Sequence, residues 1–256
     1  MSENAAETVL SSSNGGILTL TLNRPQKQNA LTREMYRALS EAITQAQGDF
    51  GIRTVVITSS SANFTSGNDL FDFLNEPPLE EGSPVMNFLS AIHNFSKPLL
   101  AAISGNAVGI GTTMLFHCDI VIASPTAKFS MPFVNLGLVP EAGSSILFPR
   151  LVGHQRASKV FLTGEPFSAE TALEMGLIAE ISEDPISTIT SIAEKIAKQP
   201  PNAVIQTKAL LKSELHEKVA AVMRAEGELF QMALQSDEAR EAFMNFLEKK
   251  STGEGK

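Results

Sequence analysis

Two glycine-rich segments, each directly after an apolar run, are the places in this chain where chemistry could start. One reads Asn63-Phe64-Thr65-Ser66-Gly67-Asn68-Asp69-Leu70, the other Gly105-Asn106-Ala107-Val108-Gly109-Ile110-Gly111. Glycines there let backbone N–H groups face a ligand. The second segment also opens a helix, whose first N–H groups have no partner within it. Two such donors aimed at one oxygen stabilise negative charge developing on it, as an oxyanion hole does. The same glycines equally serve tight packing of a helix onto a sheet, so neither segment decides alone. Other chemistries find less support. His93, His117, His154 and His216 form no His-x-x-x-His or His-x-His pair. His117-Cys118-Asp119 are consecutive on an extended segment, where side chains point to alternate faces. No metal site is expected from these spacings. Gly143-Ser144-Ser145 is not the Gly-x-Ser-x-Gly elbow of a serine hydrolase. Gly109-Ile110-Gly111 lacks the third glycine and the acidic residue of a dinucleotide fingerprint.

These segments need strands and helices to hold them. Residues 8–10 and 17–22 read as the strands of a hairpin, with Asn14-Gly15 supplying its positive-φ turn. Leu18, Leu20 and Leu22 alternate with Thr19 and Thr21, the period of a half-buried strand. Thr32 is the expected cap of a helix with the stripe Met35, Leu39, Ala42, Ile43 and Ala46, ending at Gly48. The continuous apolar runs 54–58, 98–103 and 120–123 read as parallel strands of a sheet covered on both faces. Both glycine-rich segments then lie beyond strand C-termini, where α/β folds bind ligands. Short helices are expected near residues 111–117, 143–151 and 168–176. Residues 75–84 form an acidic, proline-rich loop, either solvated surface or a mobile lid. From about residue 187 to 250 the pattern is helical, broken once at Pro200-Pro201. The whole reads as α/β with an appended helical module.

Composition narrows the classes further. The chain has 256 residues, 43% hydrophobic and 19% charged, which suits a packed core and argues against disorder. Its single cysteine, Cys118, excludes an internal disulfide framework. A net charge of −8 without a basic stripe argues against nucleic acid as a partner. No apolar run approaches the ~20 residues of a membrane span, and the polar, acidic start resembles no secretory signal. A cytoplasmic protein is the expectation.

Several motifs in order give the chain a recognisable resemblance. Leu22-Asn23-Arg24-Pro25 with Asn29-Ala30-Leu31, then Phe64-Thr65-Ser66-Gly67-Asn68-Asp69-Leu70, resemble the opening motifs of the crotonase, or enoyl-CoA hydratase/isomerase, superfamily. Lys97-Pro98 through Gly111, Cys118-Asp119, Asn135-Leu136-Gly137-Leu138-Val139-Pro140, Leu162-Thr163-Gly164 and Gly176-Leu177-Ile178 continue the match. The resemblance implies a spiral of ββα turns over residues 1–200. It also implies a C-terminal helical oligomerisation module over 201–256, building a homotrimer or hexamer. Its helices are expected to pack against neighbouring subunits, one of them through the stripe Val219, Val222, Met223, Glu226 and Phe230, interrupted by Glu226, with packing onto the chain's own core as the alternative. The implied ligand is an acyl-CoA thioester, with coenzyme A as part of the substrate and no further cofactor. By position the implied oxyanion donors are the N–H groups of Ser66 and Ile110. Arg24 and Lys27 are candidates for the coenzyme A phosphates. Phe64, Gly67, Asp69, Leu70, Gly109, Gly111, Phe133 and Leu138 are the remaining expected substrate-binding residues.

The acid and base residues distinguish the reactions of this superfamily. Its hydratases carry two glutamates, at positions matching Thr113 and Phe133 here, and paired carboxylates are what hold and activate a water. Glu141 instead matches the catalytic glutamate of the 3-enoyl-CoA to 2-enoyl-CoA isomerases, and Ile110 matches their branched residue in the glycine-rich turn. The resemblance therefore implies a double-bond shift from carbon 3 to carbon 2 of a fatty acyl-CoA, as in β-oxidation, with Glu141 as the single acid/base. Another crotonase reaction, such as hydration, and a non-catalytic acyl-CoA-binding or interaction module are the alternatives. A glutamate at a helix start is also favourable on electrostatic grounds alone.

Overall fold

The computed structural model describes residues 8–75 and 82–252. β1 (Val9–Asn14) and β2 (Ile17–Leu22) form an antiparallel hairpin. Its turn residues are Gly15 and Gly16, at φ 57° and 81°, while Asn14 pairs with Ile17 as a strand residue. The turn therefore sits one residue later than expected, because two consecutive glycines satisfy both positive-φ positions of a two-residue turn. β3 (Thr54–Ser59), β4 (Leu99–Ile103), β6 (Ile120–Ala123) and β9 (Glu180–Ile181) extend the sheet in parallel. A second sheet holds β5 (Asn106–Val108), β7 (Lys128–Ser130) and β8 (Phe167–Ser168). The order in the larger sheet is β1-β2-β3-β4-β6-β9.

Strand alternation divides the core as the pleat requires. Val55, Ile57, Leu99, Ala101 and Ile103 enter the main core, with α1 (Arg33–Gly48) and α3 (Pro84–Asn94). Val56, Leu100, Ala102 and Ile122 point the other way, onto Ile189 and Ala193 of α8 (Pro185–Ala197). Thr32 caps α1, its hydroxyl accepting from Met35 N–H at 3.3 Å, and Ser83 caps α3 similarly. Between the strands lie α2 (Leu70–Asn75), α4 (Ile110–Thr113), α5 (Ser144–Val152), α6 (His154–Thr163) and α7 (Ala169–Glu174). Of the candidate lid, residues 76–81 lie outside the described residues.

The chain ends in α9 (Pro201–Lys212), α10 (His216–Leu234) and α11 (Asp237–Thr252). Lys208 pins α9 to the sheet: its ammonium lies 2.7 Å from Asp119 and donates to Lys97 C=O at 2.6 Å. Asp119 in turn accepts from Leu99 N–H at 2.8 Å. Val219 and Met223 of α10 belong to the main core, and Ala239 and Phe243 of α11 to a second cluster. Of the two expectations for this stripe, packing onto the chain's own core is the one seen for Val219, Met223 and Glu226. Val219 and Met223 sit against Gly143, where only a glycine lets the helix approach this closely. Leu210, Leu211 and Met232 remain exposed on the outer side. Among the described residues no helix is long and apolar enough to cross a membrane.

Candidate active site

The first glycine-rich segment is shaped from the N-terminal motif. Asn29 is fully buried in a left-handed conformation (φ 54°), a region asparagine tolerates well. Its amide donates to Asn63 C=O at 2.9 Å and Phe64 C=O at 3.1 Å, and its Oδ1 accepts from Arg24 N–H at 2.7 Å. Leu31 then forms a parallel bridge to Asn68. Leu31 N–H donates to Gly67 C=O at 2.8 Å, and Asp69 N–H to Leu31 C=O at 2.9 Å. Such a bridge uses the groups flanking Asn68 and turns its own N–H to the opposite side. Ser66 behaves differently: its N–H donates to Gln28 C=O at 3.0 Å. Ser66 is therefore not a free donor, which corrects the sequence expectation.

The second segment supplies the facing donor. Gly109, at φ 56°, starts α4, and its C=O accepts from the N–H groups of Thr112 and Thr113. Ile110 is the first helical residue, so no carbonyl inside the helix reaches its N–H. Among the described residues the N–H groups of Ile110 and Asn68 both lack a protein acceptor. Both residues line one cavity with Glu141. Gly67 and Gly111 make this approach possible. A Cβ at Gly67 would lie 2.9 Å from Val108 C=O, and one at Gly111 would strike the Thr65 methyl.

Glu141 stands on a loop clamped from four sides. Thr113 Oγ1 donates to its carboxylate. Ser144 N–H donates to its C=O at 3.1 Å. His117, 3% exposed, donates from Nε2 to Ala142 C=O at 2.7 Å. Burial pushes His117 down to about 3, so it stays neutral and the Nε2–H tautomer follows from its carbonyl partner. Glu226 of α10, 6% exposed, accepts from Gly143 N–H at 2.6 Å and Ser145 N–H at 2.9 Å. It caps α5, which has no cap of its own. The clamp is needed because Ala142 is left-handed (φ 61°), a conformation that strains a residue with a Cβ. Burial raises Glu141 from the ordinary 4.5 to about 8. Thr113 works against the rise, and the nearby Glu226 carboxylate adds to it.

The cavity wall across from Glu141 is apolar apart from Gln231. Val85, Met86 and Leu89 come from α3, and Met223, Gly227, Phe230 and Gln231 from α10. Tyr36 also lines it, 1% exposed, with its hydroxyl donating to Asn68 Oδ1. Glu141 is the only carboxylate among the described lining residues. The volume open to a water-sized body is about 40 Å³.

Several expected binding residues fall elsewhere. Arg24 is 8% exposed, and its guanidinium is held by Asp69 at 2.6 Å and by Ala30 C=O at 3.2 Å. Burial works against ionisation of Asp69, but Arg24 together with the N–H groups of Phe71 and Asp72 outweighs it and holds the carboxyl below its usual range. This pair braces the loop and is not free for phosphates. Lys27 is exposed beside Ser66, whose hydroxyl points to Lys27 C=O. Phe64 is fully buried in the main core. Phe133 and Leu138 pack in the second cluster with Phe148, away from the lining, and Leu70 lies against that cluster. Gly109 N–H is taken by Ser130 C=O at 2.8 Å. The residues the sequence reading missed are Asn68, Tyr36, Glu226 and Gly227. Asn68 left a signal by lying in the first glycine-rich segment, and Glu226 as a carboxylate inside an apolar stripe.

Two sheets in this order, a pair of unpartnered N–H groups at two strand ends and a buried carboxylate between them define the crotonase class of α/β fold. The chain belongs to the enoyl-CoA hydratase/isomerase family, whose model matches residues 12–253. It is 35% identical over 254 residues to the human "Enoyl-CoA delta isomerase 2", covering 96% of this chain and 64% of that protein. It is 31% identical over 242 residues to "2,3-dehydroadipyl-CoA hydratase" of Escherichia coli (strain K12), covering 92% and 93% of the two chains. The crystal structure of an enoyl-CoA hydratase/isomerase from Pseudoalteromonas atlantica T6c superposes with a TM-score of 0.91 at 41% identity. It covers 94% of this chain and 97% of that one. The chain thus spans just under two thirds of the human relative's length.

Proposed function

We propose that the protein is an enoyl-CoA isomerase that moves a double bond from carbon 3 to carbon 2 of a fatty acyl-CoA, as in β-oxidation, without a metal or redox cofactor. The observation that carries this reading is a single carboxylate, Glu141, in a cavity with two unpartnered backbone N–H groups. The thioester oxygen sits between the N–H groups of Asn68 and Ile110. They stabilise the charge that develops there when a proton leaves carbon 2, the largest expected catalytic contribution. Glu141 takes that proton and returns one to carbon 4 of the dienolate, so the proton count is unchanged. One base suffices where both carbons lie on one side of a bent chain. Thr113, at one of the two hydratase glutamate positions, touches Glu141 with a hydroxyl, and Phe133, at the other, packs in the core. Among the described lining residues no second carboxylate is then present to activate a water. Lys27 remains the candidate for a coenzyme A phosphate, and a homotrimer or hexamer in the cytoplasm is the proposed assembly.

Purified protein with 3-hexenoyl-CoA should form 2-hexenoyl-CoA, followed by its ultraviolet absorbance. With 2-hexenoyl-CoA it should form little 3-hydroxyhexanoyl-CoA. Rapid hydration without isomerisation would overturn the proposal.

A further inference from the structure

α10 passes the Glu141 cavity in mid-helix, and one of the four residues it presents there is a glycine. Met223, Gly227 and Phe230 follow at helical spacing, and Gly227 lies near the middle of the 19-residue helix. Glycine in a helix interior is destabilising relative to alanine, because more backbone freedom is lost on folding. A fold tolerates it there when the backbone needs a positive φ or when a Cβ would collide. Neither holds at Gly227. Its φ is not among the positive values, and a Cβ would meet only Met86 Cε at 3.8 Å, an ordinary contact. Gly143, on the same loop as Glu141, shows the contrast: φ is 70° and a Cβ would lie 2.8 Å from Val219 Cγ1. Gly143 is required by the fold, whereas Gly227 is not.

What Gly227 provides is room. It stands opposite Met86 of α3, at the wall of a cavity with only about 40 Å³ open to water. One water occupies roughly 30 Å³ of liquid, so even a small side chain at 227 would compete for this space. The other nearby lining groups, Met86, Met223 and Phe230, are apolar, and methionines adapt readily to a passing chain.

We propose that Gly227 is a specificity-determining residue: its missing side chain keeps open the lane between α10 and Met86 through which the acyl tail runs past the reacting carbons. The proposal rests on the reading that this cavity takes acyl-CoA. It predicts that side chains at 227 discriminate by tail length and leave the reacting end unaffected.

The test uses Gly227→Ala and Gly227→Leu in the full chain. Affinities for the saturated butanoyl-, hexanoyl- and decanoyl-CoA are measured by calorimetry, beside turnover of 3-hexenoyl- and 3-decenoyl-CoA. Gly227→Ala should raise Tm by about 2–4 °C. It should also weaken decanoyl-CoA about threefold relative to butanoyl-CoA. Gly227→Leu should widen that ratio to tenfold or more, with butanoyl-CoA affinity within about twofold of wild type. An unchanged ratio, an equal loss at every length or a lower Tm for Gly227→Ala would overturn the proposal. Should Gly227→Leu fail to fold, the Gly227→Ala ratio still decides. The saturated series needs no isomerisation. Length-dependent binding with an inactive wild type would therefore refute the proposed reaction and leave Gly227 in its role. A wild type that binds no acyl-CoA would overturn both.

Discussion

If Glu141 is the base, its raised proton affinity must appear in the pH profile. A general base works as the carboxylate, and a group at about 8 is ionised in only about one molecule in ten at pH 7. In the free enzyme kcat/KM should therefore rise nearly tenfold per pH unit below the midpoint and level off above it. From pH 6 to pH 9 the gain is about ninety-fold. Stability must move in the opposite direction. Because the folded value lies above the ordinary 4.5, the protonated form suits the native state. That contribution is complete below pH 4.5 and is lost as pH rises through about 8. At about 1.4 kcal/mol per pH unit, the loss is at most about 5 kcal/mol. Burial raises Glu226 as well, so the informative quantity is the difference between wild type and Glu141→Gln. The variant should match wild type in urea unfolding near pH 4.5 and exceed it near pH 8.5. Its turnover should fall ~100- to 10,000-fold. A kcat/KM profile that is flat from pH 6 to 9, or near-wild-type turnover by folded Glu141→Gln, would refute the assignment.

Two further perturbations follow from the same geometry. Glu226→Gln keeps the shape but sets an amide against one of two N–H donors. Hydrogen bonds to charged groups contribute ~1.5–3 kcal/mol, so stability should fall by about 2 kcal/mol and kcat about tenfold or more, with KM little changed. The midpoint of the pH profile should also shift downward, and an unmoved midpoint would show that Glu226 acts only structurally. Arg24→Lys retains the charge but loses the fork on Asp69 and Ala30. It should lower stability by roughly 2 kcal/mol in urea while coenzyme A affinity stays within twofold, and the reverse pattern would restore Arg24 as a phosphate ligand.

The strands and the two glycine-rich segments are legible because their signals are local. Period-2 alternation in residues 17–22 and continuous apolar runs at β3 and β4 follow from which faces are buried. The motifs that carry the resemblance turn out to be mostly structural. Asn29 orders the Phe64 segment, Lys97 donates to Ala46 and Asp49 carbonyls, and Asp119 anchors Lys208. That is why they identify the fold well and the binding residues poorly. Ser66 was misplaced because which N–H is free depends on the Leu31–Asn68 bridge, a pairing between residues 37 apart in the chain. Arg24 is a phosphate candidate by sequence because nothing near it in the chain discloses its partner Asp69. Glu226 looked like an imperfection in an apolar stripe because its partners, Gly143 and Ser145, lie some eighty residues earlier.

These long-range pairings decide how the site divides its tasks. The two proposed oxygen-binding donors are backbone groups, so substitution of the side chains around them leaves them in place. In the reaction proposed here, the choice of chemistry then rests on a few side chains at Glu141, Thr113 and Phe133. Glu141, the proposed base, sits beside a left-handed alanine, a conformation with a penalty of order 1–3 kcal/mol that persists only where its surroundings over-determine it. His117 and Glu226 supply that determination, and Glu226 comes from a helix whose next residue, Gly227, lines the same cavity as Glu141. A tail that pressed on α10 would also press on the carboxylate that holds the catalytic loop. In the proposed reading, chain-length selection and positioning of the base share one element, and variants at 226 and 227 should be non-additive in kcat when the substrate tail is long.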